Sequence, residues 1–247
     1  MDSERKMKVE DRYNDGTYLN HNQHWHQEDS PYKAGLVMQM LRRSYRDFKT
    51  CADVGCGAGR VTSILAKTFS DKEFHGFDTS KDAARFWSEN AAANLTFSLQ
   101  NIFDVEETFD LVLCLDVFEH VDDYIGFLRL LRKRGSNFVF NIPLDMSAAK
   151  LLTGGLRFVR DEVGHLHYFN AYTAAETLKY AGYKIEHTFL SAMPSRILQI
   201  PGRRVGPRLA VMRRPRISQA RCSSTSSMPP QRNSSGEEPP PVRLTRG

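Results

Sequence analysis

The chain has 247 residues, 40% of them hydrophobic, which suits one α/β domain with additions or two small domains. Its net charge of +5 is unevenly spread: residues 191–247 carry eleven arginines against two glutamates, a net +9, and residues 1–190 carry 23 basic against 27 acidic side chains, a net −4. The globular part is thus mildly acidic, which argues against a large phosphate footprint and a nucleic-acid-binding face, and no apolar run reaches the roughly 18 residues of a membrane span.

Residues 1–48 read as an N-terminal extension. Met1 to Glu10 are charged and lack the apolar run of a signal peptide, so a cytoplasmic location is expected. Polar residues cluster around Trp25 up to Pro31, and Tyr32–Arg43 follows as a helix with Leu36, Met40 and Arg43 on one face. Then strands and helices alternate. Strands are expected at Thr50–Val54, Glu73–Phe77, Leu95–Leu99, Phe109–Leu115, Asn137–Ile142 and Tyr183–Phe189. Helices are expected at Arg60–Thr68, with Val61, Ile64 and Leu65 inward, and at Asp82–Ala92. Two more are expected at Val121–Leu131 and at Ala171–Ala181, which ends at Gly182. This alternation predicts a Rossmann-like, doubly wound, mostly parallel sheet with helices on both faces, spanning residues 49–200. Ligands of such sheets bind at the carboxyl ends of the strands. The four cysteines show neither C-x-x-C spacing nor a histidine at zinc-finger distance, so they read as reduced thiols.

Asp53-Val54-Gly55-Cys56-Gly57-Ala58-Gly59-Arg60 follows a strand and opens a helix. Glycines at 55, 57 and 59 permit positive φ and close approach of a ligand to the backbone. The G-x-G-x-G spacing differs from the G-x-G-x-x-G dinucleotide fingerprint. An acid at Asp53 would repel a phosphate and pair with the ammonium of S-adenosylmethionine. Asp78, nineteen residues after Gly59 at the end of the second strand, can accept hydrogen bonds from both ribose hydroxyls. A structural glycine turn with surface acids, or a dinucleotide dehydrogenase, are the competing readings.

These residues resemble the class I S-adenosylmethionine-dependent methyltransferases from residue 12 to about 200. The matching blocks are Asp53 to Arg60, Gly76 to Asp78, Phe109 to Val121 and Gly164 to Phe169. The block Trp25 to Ala34 resembles a bacterial branch of that family. The resemblance implies S-adenosylmethionine as cofactor, with backbone contacts from Gly55 and Gly57 to its methionine part and with Asp53 and Gly59 also among the cofactor-binding residues. It implies Asp78 and Thr79 at the ribose, Asn101 and Ile102 beside the adenine, and Cys114 and Leu115 along the cofactor. Family members often carry Asp where this chain has Asn101, whose side-chain carbonyl can still accept.

Methyl transfer from a sulfonium chiefly needs alignment and exclusion of water, with a base only where the acceptor must lose a proton. His165 and His167 stand two apart in the aromatic segment Gly164–Phe169, so alternation sends their rings to opposite sides, one as a candidate base and one to pack. Asp116, Glu119 and His120 form D-x-x-E-H after the fourth strand. This resembles the E-x-x-E-H of metal-binding small-RNA 3′-end and ubiquinone O-methyltransferases, where a later histidine, here His165, completes the site. The competing reading is a metal-free helix cap. Trp25, His24, His26 and Tyr32 fit either a lid over the cofactor or an aromatic anchor. Arg157 and Arg160 fit an anionic substrate less well than a solvated surface.

Nine of the eleven prolines lie in residues 191–247, as do nine serines, so residues 201–247 are expected to form a low-complexity tail, disordered from about Ser218. Such folds usually end in an antiparallel strand slipped between the fifth and sixth. Its best candidate, Arg208–Met212, is short and runs into Arg213-Arg214-Pro215, and a proline cannot join a central ladder. The bias after about Pro201 resembles translation in a shifted frame, which would leave a gap in the sheet. The function expected is methyl transfer to a small-molecule, glycan or lipid-precursor acceptor. The alternatives are a non-catalytic scaffold protein and a metal-assisted methyltransferase.

Overall fold

Strands β1 (Thr50–Val54), β2 (Glu73–Asp78), β3 (Leu95–Leu99), β4 (Phe109–Leu115), β5 (Gly135–Pro143), β6 (Tyr183–Ser191) and β7 (Arg208–Pro215) form one sheet. Their order across it is β3-β2-β1-β4-β5-β7-β6. The structure, a computed structural model, describes residues 24, 25, 27–44, 47–191 and 208–215. All of these fall in the unit Met1–Arg216; the unit Ile217–Gly247, which holds the tail expected to be disordered, lies outside the described residues.

The first five strands are parallel, and the chain order reverses at β1, whose neighbours are β2 and β4. The carboxyl ends of β1 and β4 thus frame the switch-point crevice where open α/β sheets bind ligands. Side chains alternate across β4 as a strand requires: Leu111, Leu113 and Leu115 feed one core, and Val112 and Cys114 the other. Helix α1 (Ser30–Ser44) and helix α2 (Arg60–Thr68) pack on the first face through Ala34, Val37, Met40, Leu65 and Ala66. Helix α4 (Tyr124–Leu131) and helix α7 (Ala171–Tyr180) cover the other through Leu128, Leu131, Ala174 and Leu178. The doubly wound sheet expected from the alternation is what the chain forms.

Several elements differ in detail. Pro31 lies inside the first turn of α1, where its missing N–H costs nothing. In α2, Val61 and Ile64 are half-buried, and Thr62 and Ser63 take buried positions beside Leu65. The helix expected over Asp82–Ala92 is confined to α3 (Lys81–Ala84), capped by the Ser80 side chain. Tight turns follow, with Phe86 and Trp87 N–H groups bonding three residues back. The reason is tertiary: the side chains of Trp87 and Asn90 are drawn to the carbonyls of Gly57 and Ala58.

The expected gap at the end of the sheet is filled. β7 runs antiparallel to β5 from Phe138↔Arg213 to Pro143↔Arg208, and to β6 from Tyr183↔Pro215 to Ser191↔Arg208. Pro215 stands at its last position, so the central ladder keeps its donors. Ala210 is buried beside Met40 and Val139. This strand lies beyond the boundary expected at residue 200. Between β5 and α7 the chain forms α5 (Ala148–Leu152), α6 (Gly155–Phe158) and a π-helical turn (Val159–Val163). No helix among the described residues is long and apolar enough to cross a membrane.

Candidate functional site

The turn after β1 is built by backbone bonds that only its glycines allow. Gly55 and Cys56 both donate their N–H to the Phe77 carbonyl, at 2.8 and 3.0 Å, which folds the chain over the end of β2. Gly55, Gly57 and Gly59 have φ of 66°, 56° and 78°, a region costing other residues about 1–2 kcal/mol. A Cβ at Gly55 would sit 2.8 Å from Val117 Cγ2, and one at Gly59 would overlap the Phe97 ring. Phe97 stacks on Trp87 at 5.0 Å between centroids, and Trp87 Nε1–H donates to the Gly57 carbonyl.

Two acids flank this turn. Asp53 is 2% exposed and accepts from the Thr62 hydroxyl at 2.5 Å. Burial pushes its carboxyl up to about 7, against the Thr62 hydrogen bond and the positive charge of Lys33. Asp78 accepts from Gly57 N–H and Ser80 N–H, each at 2.8 Å. Burial raises its pKa too, partly offset by those backbone bonds. Each carboxylate oxygen has a lone pair left for a ligand.

Around the rest of the crevice, Asn101 caps the short turn Ile102–Asp104 by accepting from Phe103 N–H, and its side chain is exposed, as is Thr79. The side chains of Ile102 and Cys114 are buried in one core and that of Leu115 in the other, so these positions can offer a ligand chiefly their backbone. Burial pushes the Cys51, Cys56 and Cys114 thiols well up, which keeps them un-ionised.

The N-terminal segment lies on the turn. The Trp25 indole nitrogen is 2.9 Å from where a Cβ of Gly57 would be, and Gln27 Oε1 accepts from Asn90 Nδ2 at 3.0 Å. His24 is exposed, Tyr32 is half-buried, and His26 lies outside the described residues. Lys33 in α1 reaches the crevice: its Nζ is 2.8 Å from Asp116 Oδ2. Asp116 follows β4 with φ 57° and takes a second contact from Asn141 Nδ2 at 3.2 Å.

Beyond β4, one ligating atom each from Glu119, His120 and His165 lie within 4.8 Å of one another. His120 Nδ1 is 3.1 Å from the Gly164 carbonyl, which leaves Nε2 toward Glu119. Burial, with the nearby His165, holds the His120 imidazole down at about 3, so it is neutral at physiological pH. His165 Nδ1 is 2.6 Å from Asp145 Oδ2. Burial would raise the Asp145 carboxyl, but His165 and Lys150 outweigh it and hold it low. Alternation parts the two histidines of the aromatic segment: His167 Nε2 bonds the Val121 carbonyl at 2.9 Å and its ring packs on Tyr124. Asp116 stands outside this group, drawn to Lys33 instead. Arg157 and Arg160 are exposed, and Arg157 faces Asp161.

Sequence reasoning singled out the turn, both flanking acids and the three clustered side chains. It missed Asp145, Thr62 and Lys33. Lys33 stands in the Trp25–Ala34 block, but nothing local marks it as reaching the site.

Residues 52–134 match a family described as a methyltransferase domain. Over 110 residues the chain is 24% identical to the ubiquinone biosynthesis O-methyltransferase of Rickettsia bellii, covering 42% of this chain and 46% of that one. The chain thus spans about half the length of such curated relatives. In structure it is similar to the plantazolicin methyltransferase BpumL in complex with SAH, with a TM-score of 0.61 at 14% identity over 85% of this chain and 95% of the other. It is also similar to the N-methyltransferase NodS of Bradyrhizobium japonicum in complex with S-adenosyl-L-homocysteine, with a TM-score of 0.57 at 17% identity over 81% and 99%. At these identities the structures establish a shared fold.

Proposed function

We propose that this chain, whose residues 52–134 match a methyltransferase domain and whose fold is that of class I methyltransferases, transfers a methyl group from S-adenosylmethionine to a small-molecule, glycan or lipid-precursor acceptor. The observation that carries this reading is the glycine turn set between buried Asp53 and half-buried Asp78 at the switch point of the sheet. The cradle suits that ligand. The glycines supply the positive φ values of the turn and let Val117, Trp25 and Phe97 pack against it, and Asp53 is a buried acid whose ionised form a cationic ligand would stabilise. A dinucleotide fits less well, because its pyrophosphate would meet that acid.

When bound, the cofactor supplies an electrophilic methyl group on a sulfonium. The chain's own residues bind, orient and shield. Gly55 and Gly57 approach the methionine part, Asp78 with Thr79 accepts from the ribose, and Asn101 with Ile102 borders the adenine. Trp25 covers the turn at Gly57 and helps keep water out, and Lys33 faces Asp116. His165, whose Nδ1 is taken by Asp145, keeps Nε2 as the candidate base for a proton from an acceptor hydroxyl or amine. His167 serves packing, through Val121 and Tyr124. The relative's name is that of an O-methyltransferase and one neighbour's that of an N-methyltransferase, which supports an oxygen or nitrogen acceptor.

A second reading has its own observation. Glu119, His120 and His165 together offer one carboxylate and two imidazoles, a donor set that suits Mn²⁺, Fe²⁺ or Zn²⁺ better than Mg²⁺. A divalent ion there would polarise the acceptor oxygen. Treatment with a chelator separates the two readings. Methylation that survives chelation removes the metal reading and leaves His165 as the candidate base, and methylation restored only by added Mn²⁺ points to the metal. Both rest on cofactor binding, tested by calorimetric titration with S-adenosylmethionine. Saturable one-site binding supports the proposal, and its absence overturns it.

A further inference from the structure

We infer that Asp145 is a positioning residue for His165, one that fixes which imidazole nitrogen faces the candidate site. The inference rests on the reading of His165 as a residue of the reacting side. Asp145 lies two residues past the end of β5, 4% exposed, and Ser147 N–H donates to its backbone carbonyl at 2.9 Å. Its two carboxylate oxygens point to different partners. Oδ2 meets His165 Nδ1 at 2.6 Å, and Oδ1 meets the Lys150 ammonium from α5. Lys150 thus anchors the carboxylate from one side while the imidazole takes the other. His165 is itself 7% exposed, so water does not compete freely for its ring nitrogens.

A carboxylate accepts and does not donate. The nitrogen facing it must therefore carry the hydrogen, which leaves the lone pair on Nε2. Free imidazole has no such constraint; with Nδ1 on Asp145, Nε2 is the His165 nitrogen left to accept, on a ring that brings a ligating atom within 4.8 Å of those of Glu119 and His120. His120 is fixed in the same sense by the Gly164 carbonyl at its Nδ1. Two neighbouring imidazoles, with ring centroids 4.7 Å apart, thus each have Nδ1 held by an acceptor. An outer acceptor that orients a histidine and raises the basicity of its other nitrogen is the arrangement that makes a good base or a good metal ligand. Asp145 serves either reading of the cluster, and neither role is assigned to it by the sequence motifs.

The test is the tautomer, read by long-range ¹H–¹⁵N correlation on the full chain without cofactor, above the pH where histidines titrate. His165→Gln identifies the signals. The expected result is a protonated Nδ1 and an unprotonated Nε2 at His165 in the unmodified chain. Asp145→Ala should lose the unprotonated Nε2 signal in favour of Nε2–H while the amide spectrum stays dispersed. Asp145→Leu replaces it if the alanine variant does not fold. An Nε2–H tautomer in the unmodified chain, or an unchanged tautomer in a folded variant, overturns the inference. Because no cofactor is present, failure here stands apart from failure to bind S-adenosylmethionine, which would overturn the functional reading itself.

Discussion

Asp53 carries most of the electrostatic argument. Its carboxyl titrates at about 7, raised chiefly by burial, against an ordinary value of 3.8. Below about pH 4 the folded and unfolded forms are both protonated and the burial costs nothing. Between there and neutrality the unfolded chain ionises while the folded one keeps its proton, so stability falls as pH rises. Asp53→Asn should remove that slope. The variant should be nearly as stable as the parent near pH 4 and more stable near pH 8, by about 2–4 kcal/mol. Urea unfolding at the two pH values measures it, and equal stabilities at both would show that the carboxyl is not the buried group described. The turn makes a second residue-scale prediction. Gly59→Ala combines a φ of 78° with overlap on Phe97, and should cost at least about 2 kcal/mol in the same assay. Gly57→Ala meets only the Trp25 indole, a movable side chain, and should cost less while displacing the N-terminal segment.

These residues also show what could be seen in the sequence. Asp53, the three glycines and Asp78 were visible because the turn is contiguous and the second acid lies one strand and helix away. Glu119, His120 and His165 were visible as two short motifs, although the motif's Asp116 turned out to pair with Lys33. Asp145 and Lys33 were not, because their roles arise from contacts between distant segments that no periodicity encodes.

At the scale of elements, strands were read more faithfully than helices. A buried parallel strand such as Phe109–Leu115 is apolar but for Asp110 near its start, and its bounds follow from that run. The helix expected over Asp82–Ala92 shrank to four residues because Trp87 and Asn90 spend their side-chain hydrogen bonds on the glycine turn. Propensity gave way to a tertiary contact. β7 shows the same rule in the other direction: its arginines and terminal proline mask a strand that is specified by the partners on either side. The consequence can be tested by truncation. A chain ending after Arg216 should stay soluble and cooperatively folded. One ending after Ser191 lacks the strand between β5 and β6, leaves two facing edges unpaired, and should aggregate. Equal solubility of the two, followed by centrifugation and thermal unfolding, would contradict the assignment of residues 208–215 to the sheet.

For the molecule as a whole, the candidate site lies at the switch-point end of the sheet, where open α/β sheets bind ligands. The carboxyl ends of β1, β2 and β4 bring together the glycine turn, Asp78 and Asp116, and the connections after β4 and β5 deliver His120 and His165. The α1 helix then adds Lys33 and carries the Trp25 segment across the turn. Fold class was legible because alternation of strands and helices is a property of the entire chain. The acceptor is not written in that alternation, since one scaffold serves many substrates through its loops. The central claim concerns the cofactor, and its most direct test is calorimetric titration of the full chain with S-adenosylmethionine beside an Asp78→Ala variant. The account predicts saturable one-site binding that weakens at least about tenfold in the variant, the loss of a charge-assisted pair of hydrogen bonds. Absence of binding in the unmodified chain, or equal affinity in a folded Asp78→Ala variant, would contradict it.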